Sequence, residues 1–194
     1  MKVLGITGGI GSGKSVVSKI LEINEIPVYN TDMEAKRLTE TSPVIRQKLS
    51  ERFGTILSIN NRLDKKQLAL LIFNNLEALA FVNSVIHPEV YRDFTEWKEK
   101  MPDKAWVGIE SAILFETGFN RYTDFNLLIT APLELRIQRT QKRDGLTKDE
   151  ILKRIQNQWP EEEKQSLVDF IVWNDERQAV LPQIENLFNC MSIT

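Results

Sequence analysis

Lys2-Val3-Leu4-Gly5-Ile6-Thr7-Gly8-Gly9-Ile10-Gly11-Ser12-Gly13-Lys14-Ser15-Val16-Val17 is the stretch that decides the fold. Its first six residues are apolar and β-prone. The next eight match GxxxxGK[ST], and Val16, Val17, Ile20, Leu21 and Ile23 continue as an amphipathic helical pattern. Each part of the motif has a physical reason. Glycines let backbone N–H groups converge on phosphate oxygens, the lysine adds a point charge for the β- and γ-phosphates, and the serine hydroxyl suits Mg²⁺. A helix opening near Gly13 adds the positive end of its dipole. Chance alone yields the bare pattern in roughly 1% of chains this long, and the strand before and helix after it make chance a poor explanation here. The spacing predicts a phosphate loop in which Gly8, Gly9, Ile10, Gly11, Ser12, Gly13, Lys14, Ser15 and Val16 hold a nucleoside triphosphate.

Outward from this loop, short apolar runs alternate with helical patterns. Val3–Ile6, Ile26–Tyr29, Trp106–Ile109, Phe125–Ile129 and Phe170–Trp173 read as strands that are apolar on both faces. Such runs suit a parallel sheet covered by helices on each side. The expectation is an α/β, three-layer phosphate-loop fold with five parallel strands. Residues 31–104 separate the second and third strands and read as helix throughout, too long for a simple crossover. They are expected to form a helical subdomain inserted at the carboxyl edge of the sheet, where α/β proteins place ligands. Asp64 with Gln67 and Thr147 with Glu150 resemble capping boxes, Pro132 marks a helix start, and Lys142–Leu146 reads as a turn-rich connector. His87 precedes Pro88, which predicts an extended residue at a helix boundary.

Composition narrows the function. The 194 residues carry 25 Lys+Arg and 27 Asp+Glu, a formal charge of −2, with one Cys and one His. A zinc site of four Cys/His ligands cannot be built from these, nor an internal disulfide from Cys190 alone. No basic excess marks a nucleic-acid binder. No apolar run reaches the roughly 20 residues needed to span a bilayer, and the N-terminal apolar stretch is too short for a signal peptide. A cytoplasmic protein without nucleic-acid or membrane partners, monomeric or weakly self-associating, is the expectation.

A phosphate loop alone does not choose between switch, motor and kinase. No Asn-Lys-x-Asp guanine reader occurs, and motor ATPases are usually much larger. Arg136, Arg139 and Arg143 lie at i, i+3 and i+7 and share one face if their helix continues that far. Guanidinium forks suit phosphate oxygens, although an exposed helix of solvated arginines has the same spacing. Glu110 follows the third strand, where a carboxylate can reach Mg²⁺ through a water; capping or surface placement is the competing reading. Another nucleoside or nucleotide kinase, or a non-catalytic nucleotide sensor, stays open on these residues.

Beyond the motif, the sequence resembles the dephospho-coenzyme A kinase family over nearly its whole length. The opening Gly5–Ser15 looks like the family's own. Val28-Tyr29-Asn30-Thr31-Asp32 matches an apolar strand ending in Asp-Ala-Asp, with Asn30 in place of the first Asp. Ile86-His87-Pro88, Ile113-Leu114-Phe115-Glu116, Arg139–Asp144, Arg154–Gln158 and Asp169–Asn174 match further elements in order. The resemblance implies transfer of the γ-phosphoryl group of ATP, with Mg²⁺, to the ribose 3′-hydroxyl of dephospho-coenzyme A. It implies Asp32, Lys14 and Arg139 as catalytic residues and Arg143 and Asn174 beside ATP. Asp32, His87 and Glu116 would face the acceptor, residues 136–149 would form a lid, and 31–104 would bind the acceptor. For Asp32, a helix N-cap is the alternative role.

Overall fold

A computed structural model describes residues 1–54, 58–59, 62–73 and 75–193. The chain divides into two compact units, Met1–Asn30 with Pro102–Thr194, and Thr31–Met101.

The first unit is built on five parallel strands, β1 (Lys2–Thr7), β2 (Val28–Asn30), β5 (Trp106–Glu110), β6 (Phe125–Thr130) and β7 (Phe170–Trp173), in the order β2-β5-β1-β6-β7. The strand expected from Ile26 begins two residues later, at Val28. The Ile26 amide is spent on Leu21 O at the end of the first helix, and Pro27 has no N–H to give a ladder. β1 is central. Ile6 is in register with both Glu110 of β5 and Leu127 of β6. The chain leaves β1 for β2 on one side and later returns to β6 on the other, so the loop after β1 opens at the topological switch point of the sheet.

One sheet face packs Leu4, Ile6, Leu127, Ile129 and Val172 against Val17 and Leu21 of α1 (Lys14–Ile23) and Ile184, Leu187 and Met191 of α9 (Val180–Ile193). On the other face, a Cβ at Gly5 would meet Leu114 and Thr123 at 2.9 Å, so the segment after β5 lies directly on the strand. Complete burial of Leu4, Ile6 and Leu127 explains why these strands carry no polar alternation. After β6 come α6 (Leu133–Asp144), α7 (Lys148–Gln156) and α8 (Glu161–Gln165). Lys142, Arg143 and Asp144, read as connector, belong to α6. The helix ends only where Gly145 takes φ 68° and donates to Gln141 O at 2.9 Å. The Thr147–Glu150 capping box is present at the start of α7.

The second unit contains α2 (Thr31–Thr41), α3 (Pro43–Phe53), a two-stranded antiparallel ladder of β3 (Ser58–Ile59) and β4 (Arg62–Leu63), α4 (Lys65–Phe73) and α5 (Leu76–Glu99). Residues 31–104 are therefore not helical throughout. Positions 55–57, 60–61 and 74 of that stretch lie outside the described residues. α5 is the spine against which α2, α3 and α4 pack. It runs through His87 and Pro88 without a break, contrary to the boundary expected there. Proline inside a helix costs about 3 kcal/mol, but Ala78, Val82 and Val85 before it and Val90 and Phe94 after it are buried. Burying such side chains contributes roughly 1.5–3 kcal/mol each for the larger ones, which outweighs the lost bond. Asp64 caps α4 by accepting from the amides of Lys66 and Gln67 at 2.9 and 3.2 Å.

Candidate active site

The loop between β1 and α1 sits at the carboxyl edge of the first unit. Gly13 caps α1 at φ 97°, and its carbonyl receives the Val16 and Val17 amides at 3.0 and 3.3 Å. A Cβ at Gly13 would lie 2.1 Å from Asn174 Nδ2, so glycine is required both by the left-handed backbone and by the neighbour. Gly11, at φ 78°, has Arg136 O 2.3 Å from where a Cβ would stand. Lys14 Nζ donates to Gly8 O at 2.8 Å and Gly9 O at 3.5 Å, which folds the ammonium back over the mouth of its own loop. Ser15 is exposed in the first turn of α1, as is Val16.

Glu110 ends β5, in register with Ile6 on one side and Asn30 on the other. Its side chain is buried and accepts from Ser18 Oγ at 2.7 Å. Ser18 is a partner that the sequence reading missed. It lies three residues beyond the motif on α1, on the buried face shared with Leu21.

The three arginines of α6 share a helix and little else. Arg136 is buried. Its Nε donates to Ile10 O at 3.0 Å and its Nη1 to Glu161 Oε2 at 2.5 Å. It is a supporting group under the phosphate loop. Burial pushes the Glu161 carboxyl above the usual carboxylate range, against the pull of Arg136. Arg139 donates to Asn174 O at 3.0 Å and Glu176 at 3.1 Å. Arg143 is exposed and pairs with its neighbour Asp144 at 2.7 and 2.8 Å. Asn174, following β7, donates from Nδ2 to Ser12 O at 2.9 Å. Arg139, Asn174 and the phosphate loop are thus joined by consecutive hydrogen bonds.

Glu116 Oε1 accepts from Lys164 Nζ at 2.7 Å and from the Trp159 amide at 2.8 Å. Its role in this unit is to pair a lysine whose side chain is only 2% exposed. Lys164 escaped the sequence reading, and Gln158 entered it only as the last residue of the Arg154–Gln158 element, with no role. Lys164 closes the run Glu161-Glu162-Glu163, which looks like a solvated surface, and Gln158 lies in the short connector before Pro160. Both line a cavity of about 320 Å³ beside Gly9 and Arg136.

In the second unit, Asp32 is exposed in the first turn of α2, two residues along the chain from the end of β2. The helix opens at Thr31, so Asp32 lies inside the first turn and is not its cap. A carboxylate there still benefits from the helix dipole. His87 is half-buried in α5, and burial lowers its imidazole below the ordinary value. Among the described residues no cluster of three or more His, Cys, Asp or Glu side chains could hold a metal.

A glycine-rich loop leaving the central strand of a parallel sheet and opening a helix, with a buried acid at the next strand end, defines a phosphate-loop nucleotide-binding α/β fold. Known proteins narrow the class. The family model described as dephospho-CoA kinase matches residues 2–179. A dephospho-CoA kinase of Bacteroides fragilis is 41% identical over 184 residues, covering 95% of this chain and 90% of that protein. One from Porphyromonas gingivalis is 42% identical over 188 residues, covering 95% and 91%. A solved structure from Thermus thermophilus superposes with a TM-score of 0.84 at 34% identity, covering 99% of this chain and 96% of that one. The chain belongs to the dephospho-CoA kinase family.

Proposed function

We infer that this protein transfers the γ-phosphoryl group of ATP to the ribose 3′-hydroxyl of dephospho-CoA, giving CoA and ADP, the final step of CoA biosynthesis. The observation that carries this is the phosphate loop on the central strand of a chain that matches the family from residue 2 to 179. Phosphoryl transfer asks for positioning and charge neutralisation more than covalent chemistry, and the residues divide along those lines. Lys14 and the loop residues from Gly8 to Val16 hold the triphosphate. Lys14 leaves the Gly8 and Gly9 carbonyls for phosphate oxygens, since a charged acceptor makes the stronger bond. Arg139 and Arg143, on the helix that opens the 136–149 lid, neutralise charge on the transferring group. Asn174 lies on the adenine side.

Asp32 accepts or orients the proton of the acceptor hydroxyl. His87, whose burial favours the neutral imidazole, contributes a hydrogen bond on the acceptor side, where residues 31–104 form the acceptor-binding subdomain. Glu116, which also pairs with Lys164, contributes to binding the acceptor. The alternative of a nucleotide sensor without turnover gives Asp32 no task.

Mg²⁺ fits the residues present. It keeps most of its water and takes one or two protein oxygens beside phosphates, so the exposed Ser15 hydroxyl and the buried Glu110 carboxylate suffice without an acidic cluster. Ser15 would bind it directly and Glu110 through water. When bound, the ion neutralises charge on the phosphate oxygens. Among the described residues no helix is long and apolar enough to cross a membrane, and we take the protein as cytoplasmic. The −2 net charge supports small-molecule partners and no nucleic acid. We take the protein as a monomer or weak homo-oligomer.

The test is ADP release from Mg-ATP with a panel of acceptors. Rapid release only with dephospho-CoA is the expected outcome. Preference for a free nucleoside or nucleotide would move the assignment to another kinase, and binding of ATP without acceptor-dependent release would make it a sensor.

A further inference from the structure

Ile10 is held at both of the peptide units that it joins. Its carbonyl accepts from Arg136 Nε at 3.0 Å, and its amide donates to Gln158 Oε1 at 3.2 Å. The amide of Gln158 reaches the other way as well, with Nε2 3.5 Å from Ala112 O. Ala112 is two residues beyond Glu110, and its carbonyl also accepts from the buried Lys164 Nζ at 2.9 Å. Lys164 is in turn neutralised by Glu116, whose Oε1 also takes the Trp159 amide. The connector between α7 and α8 therefore grips two segments at the carboxyl edge of the sheet, the phosphate loop and the strand end that carries Glu110.

Physical cost says this grip has a purpose. A fully buried lysine is rare, and replacing a buried ion pair by apolar side chains is often neutral or stabilising. Packing alone would be served as well by leucine and methionine. What apolar groups cannot do is fix the orientation of a peptide plane. In the phosphate loop, orientation decides which N–H groups face a phosphate and which face away. A Gly9–Ile10 peptide unit that rotated would redirect the Ile10 N–H and disturb the backbone of the loop on either side of it, which must converge on the anion.

We propose that Gln158 is a positioning residue for nucleotide binding. By accepting the Ile10 N–H while approaching Ala112 O, it holds the phosphate loop in its anion-binding conformation and in register with the Glu110 strand end. This rests on the kinase reading above for its effect on turnover, but its effect on nucleotide affinity does not depend on the acceptor.

Two variants separate the parts of the claim. Gln158→Met keeps the length and removes both polar atoms. Gln158→Glu keeps an acceptor for the Ile10 N–H and removes the donor toward Ala112 O. Affinity for ADP is measured by titration calorimetry with no acceptor present, and kcat and KM for both substrates are measured separately, on protein checked by thermal melting. Loss of one neutral hydrogen bond predicts about fivefold weaker ADP binding in Gln158→Met, with a lower kcat and KM for dephospho-CoA within twofold of the parent. Gln158→Glu is expected to keep ADP affinity within twofold. A merely structural role would lower the melting temperature or the active fraction while leaving the ADP dissociation constant unchanged, and that result overturns the proposal. Equal weakening in the two variants overturns it too, because the Ile10 bond would then not be what matters. If the parent binds ADP but fails to phosphorylate dephospho-CoA, the reaction assignment falls and the affinity comparison still decides the role of Gln158.

Discussion

In the proposed reaction Lys14 and Asp32 act on the donor and the acceptor respectively, and their surroundings differ accordingly. Lys14 is half-buried with two carbonyls within reach, a local arrangement that a phosphate can displace. Asp32 is exposed on the first turn of α2, so changing it disturbs little packing. Asp32→Asn removes the proton acceptor while keeping size and hydrogen bonding. We expect kcat to fall by at least about 10²-fold, with the melting temperature changed by no more than about 2 °C, since an exposed substitution of this kind is worth within about 0.5 kcal/mol. Steady-state kinetics and a thermal melt on the purified variant check both halves. A kcat near the parent value removes Asp32 from the mechanism. The arginines teach the complementary lesson. Spacing placed three of them on one helix face, and the structure gives each a different neighbour: Arg136 the Ile10 carbonyl and Glu161, Arg139 the Asn174 carbonyl, Arg143 the adjacent Asp144. Periodicity reports which side chains share a face, but it does not report what that face meets.

Among the elements, α7 is the one whose start is written most openly in the chain. Thr147 accepts from the Glu150 amide at 3.3 Å, and Glu150 Oε2 takes back the Thr147 amide at 2.8 Å. These bonds hold the Glu150 carboxyl below the usual carboxylate range, the backbone donor contributing most. Thr147→Ala should destabilise the protein by about 1 kcal/mol, a fall of roughly 2–4 °C in melting temperature for a protein of this size. Parent-like kinetics at 25 °C are expected with it, and a melt that does not move would show that the helix start is not coupled to the folded core. Elements of this kind were legible because their determinants are local: the cap lies within four residues, strand polarity within five, and the phosphate loop within eight. The parts not legible are those whose cause is distant. The α5 helix overrides Pro88 because its buried side chains pack against three other helices of its unit. The β3–β4 ladder is two residues long on each side, too short to show alternation. Gln158 and Lys164 gain their partners 148 and 52 residues away, and nothing in their own segments shows what they touch.

At the scale of the molecule, the balance of 25 basic and 27 acidic residues conceals a local concentration of donors at one sheet edge, where the proposed polyphosphate would gain its binding energy. That energy is linked to stability, because a ligand that binds only the folded state stabilises it by RT ln(1 + [L]/Kd), about 2.7 kcal/mol at a hundred times Kd. For a chain of this size, each kcal/mol raises the melting temperature by roughly 2–4 °C. Mg-ADP at that excess should therefore raise the midpoint by roughly 5–10 °C. The phosphate loop and its supports, Arg136, Gln158 and Asn174, all belong to the unit formed by Met1–Asn30 and Pro102–Thr194. If the two units melt in separate steps, the shift belongs to the step that unfolds this one, and calorimetry resolves it from the melting of Thr31–Met101. Lys14→Ala supplies the control: without the ammonium the shift should shrink to a small fraction of the parent value, while the ligand-free midpoint changes much less than that shift, the bonds of Lys14 to the Gly8 and Gly9 carbonyls being local to the loop. A parent protein whose midpoint does not respond to a large excess of Mg-ADP would mean that this loop is not a nucleotide site, and the kinase reading would fall with it.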